Sequence, residues 1–554
     1  MAFYSSFALL LSVFLINAAN AAHQPSVREI VKTRLIAGFK EGCNPEETSL
    51  RSLRQAVKTA YVAYQRREGK TIESAASLVL NVKETASEDY TTYSRSQALF
   101  QLQLPSDSGG YRLTGLSAPS NACIINNQHL KRVGVSVVSV ADCPLVSADI
   151  DSAISAFRDD SCVSFVERDS IQRLYPIFEG PPIDETAVRP SAPPPHPSQP
   201  SPLAYWLEVA SIDRAWKLNK CDREVVVGVI DTGVEVDHPD LRNNIWRNEY
   251  EIPANGIDDD RNGYTDDING FDFFLKRAQV VDPHGHGTHC AGIIGATPIT
   301  TVAQGVCKNI SIAGLRFLDD QGSGATSDSI EAVNYAIEMD FHLTSNSWGG
   351  PDVSSGLLQA IKRASDVEQL FVAAAGNSGN NADVRPEYPG AYKVDNVISV
   401  AATDENDRLA NFSNYGKNAV HLAAPGVFIL STFPPHTVKS LSGTSMATPV
   451  VSGVAAMLLS HRPMRVAELK EILFTTADKP RSLKDKLRTG GRVSAAYAIC
   501  VARAEDPESR SILTRSSSSS SSSNSSNSNN YSSAKPNRLL RKFREFPPTP
   551  TRGC

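Results

Sequence analysis

The sequence predicts an α/β fold, a mainly parallel sheet with helices on both faces, preceded by a small α+β domain. Three observations carry this. Val225-Val-Val-Gly-Val-Ile230 and Phe371-Val-Ala-Ala-Ala375 are short, near-continuous apolar runs, the pattern of strands buried on both faces of a parallel sheet. Between them, Ile330, Val333 and Ile337 share one helical face behind polar Ser327 and Asp328, which read as a helix start. Strand and helix patterns alternate in this way over residues 203–500. In such folds ligands bind at the C-terminal ends of the strands.

The rest of the chain divides by composition. At 554 residues it is too long for one average domain. Residues 1–21 read as a signal peptide, because Phe7 to Ile16 is apolar but too short to span a bilayer and Ala19-Asn-Ala21 offers a cleavage site. No later stretch suits a transmembrane helix, so the expected destination is outside the cell or a secretory vesicle lumen. Residues 22–97 read as a polar prosegment. Residues 98–176 form the small domain: Ala98 to Leu104 alternates like a strand, Ser147 to Phe157 has helical spacing, and Val163 to Asp169 is a further strand. Residues 177–202 are a proline-rich, stiff linker, and residues 501–554, with serine runs and basic residues, form a tail too polar to fold. The net charge of -5 gives no field for nucleic acid or anionic membranes. Export would place the nine cysteines in an oxidising compartment; their odd number leaves at least one thiol free or paired between chains, and spacing leaves the pairing open.

Three separated motifs point to one chemistry. Asp231 ends a buried strand and enters a glycine turn, Asp231-Thr-Gly233. His286 opens His286-Gly-Thr-His-Cys-Ala-Gly292, where a glycine turn feeds a helix. Ser445 stands in Gly443-Thr-Ser-Met-Ala-Thr-Pro449, at the start of a small-residue helix. A serine nucleophile needs a base to accept its proton, and that base needs an acid to set its tautomer and stabilise its charged form. A fourth motif, Ala373-Ala-Ala-Gly-Asn377, puts an amide just past a buried strand, where it can meet a developing oxyanion. A lipase-type G-x-S-x-G elbow would put the serine first in the chain; here it comes last.

In this order the motifs resemble the catalytic domain of subtilisin-like serine proteases (subtilases), of the kind found in protozoan parasites, over residues 203–499. The resemblance implies a secreted serine endopeptidase acting on proteins and peptides, most simply as a monomer. It implies that Ser347-Trp348-Gly349 and Gly322-Ser323-Gly324 pair with extended substrate as added strands. Residues 98–175 are similar to the family's inhibitory propeptide, which would make the chain an autoprocessed zymogen inhibited by its own propeptide. The rival reading is an inactive scaffold of the same fold, but all four expected catalytic residues are present.

An acidic insert, Asp258 to Asp267, suggests structural calcium. Read as an EF-hand-like loop, Asp258, Asp260, Asn262 and Asp266 take oxygen-ligand positions and Tyr264 offers its carbonyl, although Asn269 replaces the usual final Glu. The resemblance adds Asp240 as a ligand of a second calcium site, whose usual loop asparagine is replaced by Ile299. It also sets Cys290 beneath His286, as a free thiol or a partner of Cys307. Glu387, where the family's primary specificity pocket has its floor, would favour a basic substrate side chain or face solvent.

Overall fold

The computed structural model describes residues 26–67, 79–89, 93–105, 111–113, 122–140, 150–181, 205–221 and 225–505. The expected signal peptide, most of the proline-rich linker and the tail from residue 506 lie outside the described residues. No helix among them is long and apolar enough to cross a membrane. The chain forms two compact units, the smaller drawn from residues before Gln172, the larger from Gln172 onward together with Glu88–Ser94 and His129–Val135.

The smaller unit is a sheet with three helices, Val27–Lys32, Pro45–Arg67 and Ile150–Arg158, among its described residues. Strand Arg34–Phe39 pairs antiparallel with Val163–Arg168, and helices Pro45–Arg67 and Ile150–Arg158 share a core in which Leu53, Ala56 and Val57 join Ala153 and Phe157. A disulfide between Cys43 and Cys162 closes it. Residues assigned from composition to a separate prosegment therefore supply an inner strand of this sheet. Leu35-Ile-Ala37 is fully buried there, an apolar run too short to stand out in a polar window.

The larger unit is built on a seven-stranded parallel sheet. Its strands are β1 (Val226–Asp231), β2 (Gly270–Asp272), β3 (Ser311–Arg316), β4 (Leu343–Asn346), β5 (Leu370–Ala374), β6 (Val397–Thr403) and β7 (Leu422–Pro425), in the order β2-β3-β1-β4-β5-β6-β7. Helices α1 (His286–Gly295), α2 (Thr326–Glu338), α3 (Ser355–Asp366) and α4 (Thr444–His461) connect and cover them. Alternate strand residues such as Val227, Val229, Val372 and Val400 share one core with α1 and α4. The opposite face meets α2 and α3, where Ile330 and Val333 are fully buried, as their spacing predicts. A disulfide between Cys221 and Cys307 ties the entry to β1 to the chain beyond α1.

This topology decides where the chemistry sits. β1 and β4 are neighbours in the middle of the sheet, and Asp231 and Ser347 stand at or just past their C-terminal ends. The N-termini of α1 and α4 bring His286 and Ser445 to the same rim.

Candidate active site

The aspartate is placed by β1 and the turn after it. At Gly233 φ is +121°, and an added Cβ would lie 2.3 Å from Val281 O, so only glycine serves the turn. Asp231 Oδ1 accepts hydrogen bonds from Thr232 N and from His286 Nδ1, both at 2.7 Å. Both side chains are fully buried. Burial opposes a charge on the imidazole, but the Asp231 carboxylate outweighs it and holds the His286 pKa well above its ordinary value.

Asp282, which sequence reasoning missed, joins these two elements. Its Oδ1 accepts from Thr232 Oγ1 (2.8 Å) and Gly285 N (2.7 Å), and its Oδ2 accepts from Thr288 N (2.8 Å) and Thr288 Oγ1 (2.7 Å). It caps the first turn of α1 and holds the aspartate turn against it. The signal was a carboxylate just ahead of the histidine motif. The neighbouring imidazoles do not converge on a metal: His289 Nε2 faces the carbonyls of Ile429 and Lys439, and burial pushes that ring down to about 3.

Ser445 opens α4, and Pro449 governs its surroundings. Proline has no N–H to give the carbonyl four residues back, which is that of Ser445. That carbonyl accepts instead from Ser347 Oγ (3.0 Å) and Cys290 Sγ (3.5 Å). Ser445 Oγ donates to Ser347 O at 3.3 Å, and His286 Nε2 has no hydrogen-bond partner among the described residues. Cys290 is a free, buried thiol, since Cys307 pairs with Cys221.

Asn377 lies past β5 with its amide orientation set by Thr444, a second residue the sequence reading missed. Its Oδ1 accepts from Thr444 N (2.9 Å) and Thr444 Oγ1 (2.8 Å), so its Nδ2 hydrogens point into the cleft. The Ser445 N–H, in the first turn of α4, lies on the same side as Asn377 Nδ2, the two nitrogens 3.6 and 3.0 Å from where a Gly443 Cβ would stand.

Residues 172–180 of this unit cross the cleft. Arg173 and Leu174 pair antiparallel with Gly349 and Trp348, the Ser323–Ala325 strand lies on their other side, and Leu174 N donates to Gly322 O at 2.8 Å. The Trp348 side chain turns inward, its Nε1 donating to Ile230 O. Tyr175 is buried in a pocket against Gly349, where an added Cβ would lie 2.1 Å from the phenol oxygen. Asn377 Nδ2 donates to Pro176 O at 2.8 Å. Phe178 and Glu179 then pair with Ser442 and Leu441, and Glu179 meets Lys439 Nζ at 2.6 Å.

Known proteins match the region holding this site. The subtilase family profile matches residues 222–533. The chain belongs to the subtilase family. The subtilase is 39% identical over 274 residues to thermitase of Thermoactinomyces vulgaris, covering 49% of this chain and 88% of that protein. It is 34% identical to subtilisin DY of Bacillus licheniformis over 277 residues, 50% of this chain and 91% of that one. Subtilisin-like protease 2 of Plasmodium falciparum is 32% identical over 304 residues, 53% of this chain but 22% of the longer protein. This subtilase is a serine endopeptidase.

Glu387 borders the pocket of the subtilase rather than facing solvent alone. Its Oε1 accepts from Ser378 Oγ at 2.9 Å, and burial together with this carboxylate raises the Tyr175 phenol well above its usual pKa. The expected basic occupant is thus replaced in this structure by a buried tyrosine.

The acidic insert gathers a different set of carboxylates from the EF-hand spacing. Oxygens of Glu251, Asp260 and Asp267 lie within 4.8 Å of one another. Asp258 instead accepts from Asn262 N (3.0 Å) and Gly263 N (2.8 Å), Asn262 Oδ1 accepts from Tyr264 N (2.7 Å), and Asp266 accepts from Asn255 N (3.1 Å) and Gly256 N (3.0 Å). Those groups shape the loop. Burial, set against hydrogen bonds from Tyr335 and Asn262, pushes Asp267 up to about 7. Three converging carboxylates, two of them buried, are the donor type a hard divalent cation takes, although Glu251 also accepts from Asp259 N and Asp266 N, Asp260 from Asn262 N and Asp267 from the Tyr335 hydroxyl. Asp240 joins no such cluster among the described residues: its oxygens accept from Ile299 N (2.8 Å), Thr300 N (2.7 Å), Thr301 N (3.1 Å) and both threonine hydroxyls.

Proposed function

We propose that this subtilase is exported as a zymogen and cleaves peptide bonds through an acyl-enzyme formed on Ser445. The observation that carries the reading is residues 172–180 bound as an extended strand through the cleft, with a carbonyl on Asn377 Nδ2. Peptide substrates would pair in the same way with Ser347-Trp-Gly349 and Gly322-Ser-Gly324.

In the reaction Ser445 Oγ turns from Ser347 O to His286 Nε2, which takes its proton as the hydroxyl attacks the carbonyl. Asp231 holds the Nδ1–H tautomer and stabilises the imidazolium. Asn377 Nδ2 and the Ser445 N–H stabilise the oxyanion. The imidazolium then protonates the leaving amine, and water releases the acyl group by the same route.

Inhibition by the upstream chain is supported a second time within the larger unit. The amides of Arg132 and Val133 donate to Asn334 Oδ1 on α2, and Gln359 Nε2 on α3 donates to the carbonyls of Val133 and Gly134. The Cys43–Cys162 and Cys221–Cys307 disulfides favour an oxidising compartment and so support export. Glu251, Asp260 and Asp267 would hold a calcium ion, which supplies charge neutralisation to the insert.

The test is to express the full chain beside its Ser445→Ala variant and follow self-cleavage by mass spectrometry, with and without a chelator. Cleavage before residue 205 in the wild type alone is expected. If neither chain is cut, and no peptide library is hydrolysed, the inactive-scaffold reading replaces this one.

A further inference from the structure

The strand crossing the cleft carries a mismatch. In a serine protease the residue that fills the specificity pocket is the one whose carbonyl the nucleophile attacks. Here Tyr175 fills the pocket against Gly349, while Asn377 Nδ2 is taken by the carbonyl of the next residue, Pro176. The bond following the pocket residue is therefore Tyr175–Pro176, and the carbonyl at the oxyanion donor belongs to the bond after it.

We infer that residues 173–179, Arg-Leu-Tyr-Pro-Ile-Phe-Glu, are a cleavage-resistant plug of the active site, with Pro176 as the residue that withholds the scissile bond. The inference rests on the zymogen reading above. Cleavage would join Ser445 Oγ to the Tyr175 carbonyl carbon, break the bond to the Pro176 nitrogen and deliver the His286 proton to that nitrogen. That nitrogen keeps a lone pair to accept the proton, but the ring carbon Cδ occupies the position of the usual N–H and crowds its approach. Proton delivery to the leaving group contributes about 10²–10⁴-fold to such reactions, so its obstruction alone slows the step greatly.

The flanks keep the plug seated. Arg173 and Leu174 are held between two strands on one side of the bond, and Phe178 and Glu179 pair with the Thr437–Ser442 strand on the other, where Gly180 N donates to Ser440 O at 2.8 Å. Phe178 also stacks on Phe412 with ring centroids 5.0 Å apart. Proline limits the free strand to few conformers, which lowers the entropy cost of docking. A segment bound on both sides of an unfavourable bond inhibits without being consumed, so activation requires a cut elsewhere.

The experiment uses the full-length wild type and Pro176→Ala chains, each beside its Ser445→Ala counterpart as the uncut control, with fragments read by intact mass and N-terminal sequencing. In parallel, activated enzyme is given casein and synthetic peptides of residues 173–179 with proline or alanine at 176. The Pro176→Ala chain and the alanine peptide should be cut after Tyr175, the peptide at least about 100-fold faster than its proline parent. The proline peptide should slow casein hydrolysis and be recovered intact. Cleavage of the proline peptide at either side of residue 176 at a similar rate overturns the plug. So does an alanine peptide that survives while casein is hydrolysed. If casein is not hydrolysed by any preparation, the protease reading fails first and the plug falls with it. The peptide arm decides the matter even where the variant chain fails to fold.

Discussion

Asp231 Oδ1 lies 2.7 Å from His286 Nδ1, with both side chains shut off from solvent. Since the carboxylate holds the imidazole pKa above its ordinary value, the base is neutral only at higher pH. Activity should therefore fall as pH drops through a midpoint above about 6.5. Asp231→Asn should move this acid limb downward, because the main charge opposing burial is then gone, and should lower kcat by about 10⁴-fold. A pH–rate profile of both proteins checks this; a flat profile down to pH 4 removes His286 as the base.

Asn377 is oriented by Thr444 through two hydrogen bonds to its Oδ1. Asn377→Ala should cost about 10²–10³-fold in kcat, the effect of losing such a donor in subtilisin, with KM little changed. Thr444→Val keeps the backbone bond and should give a smaller loss of the same kind. Steady-state kinetics on one peptide substrate separates the two; a rise in KM alone, with kcat unchanged, would assign Asn377 to binding.

Chelation should lower the thermal midpoint of the protein. At calcium about 100-fold above its dissociation constant, the bound ion contributes about 2.7 kcal/mol. Asp260→Ala should abolish the chelator effect, and Asp240→Asn should leave it intact, since Asp260 converges with two further carboxylates and Asp240, among the described residues, with none. Calorimetry with and without chelator distinguishes the two sites, and a shift lost in Asp240→Asn instead would reverse their assignment.

The Cys221–Cys307 bridge spans 86 residues. Loop entropy at that length gives about 4–5 kcal/mol, so replacing both cysteines with serine should lower the midpoint by roughly 10 °C or more. The same double variant should leave Cys290 buried and unreactive, as burial keeps its thiol protonated. Thiol labelling of the native double variant reads this directly.

The central sheet was legible because strands buried on both faces have to be apolar throughout, as Val227, Val229 and Val372 are. The site motifs were legible for a related reason. A strand end, two helix starts and a close-packed turn restrict residue choice so tightly that Asp231, His286 and Ser445 each come with glycine neighbours. The strand at Arg34–Phe39 was hidden because its apolar run is brief and its partner, Val163–Arg168, is far along the chain.

Which groups converge was another matter. Spacing offered Asp258, Asn262 and Asp266 as cation ligands, yet the carboxylates that converge are Glu251, Asp260 and Asp267, two of them from outside the pattern. The sequence by itself determined the fold class, the family and the residue types at the reacting centre, since these follow from periodicity and from local turns. Only the tertiary structure decided that Thr444 aims Asn377, that Asp240 accepts from Thr300 and Thr301, and that Tyr175 and Pro176 divide pocket and oxyanion donor between them. A hydrogen bond depends on direction and on distance to tenths of an ångström, and between residues far apart in the chain both are set by packing.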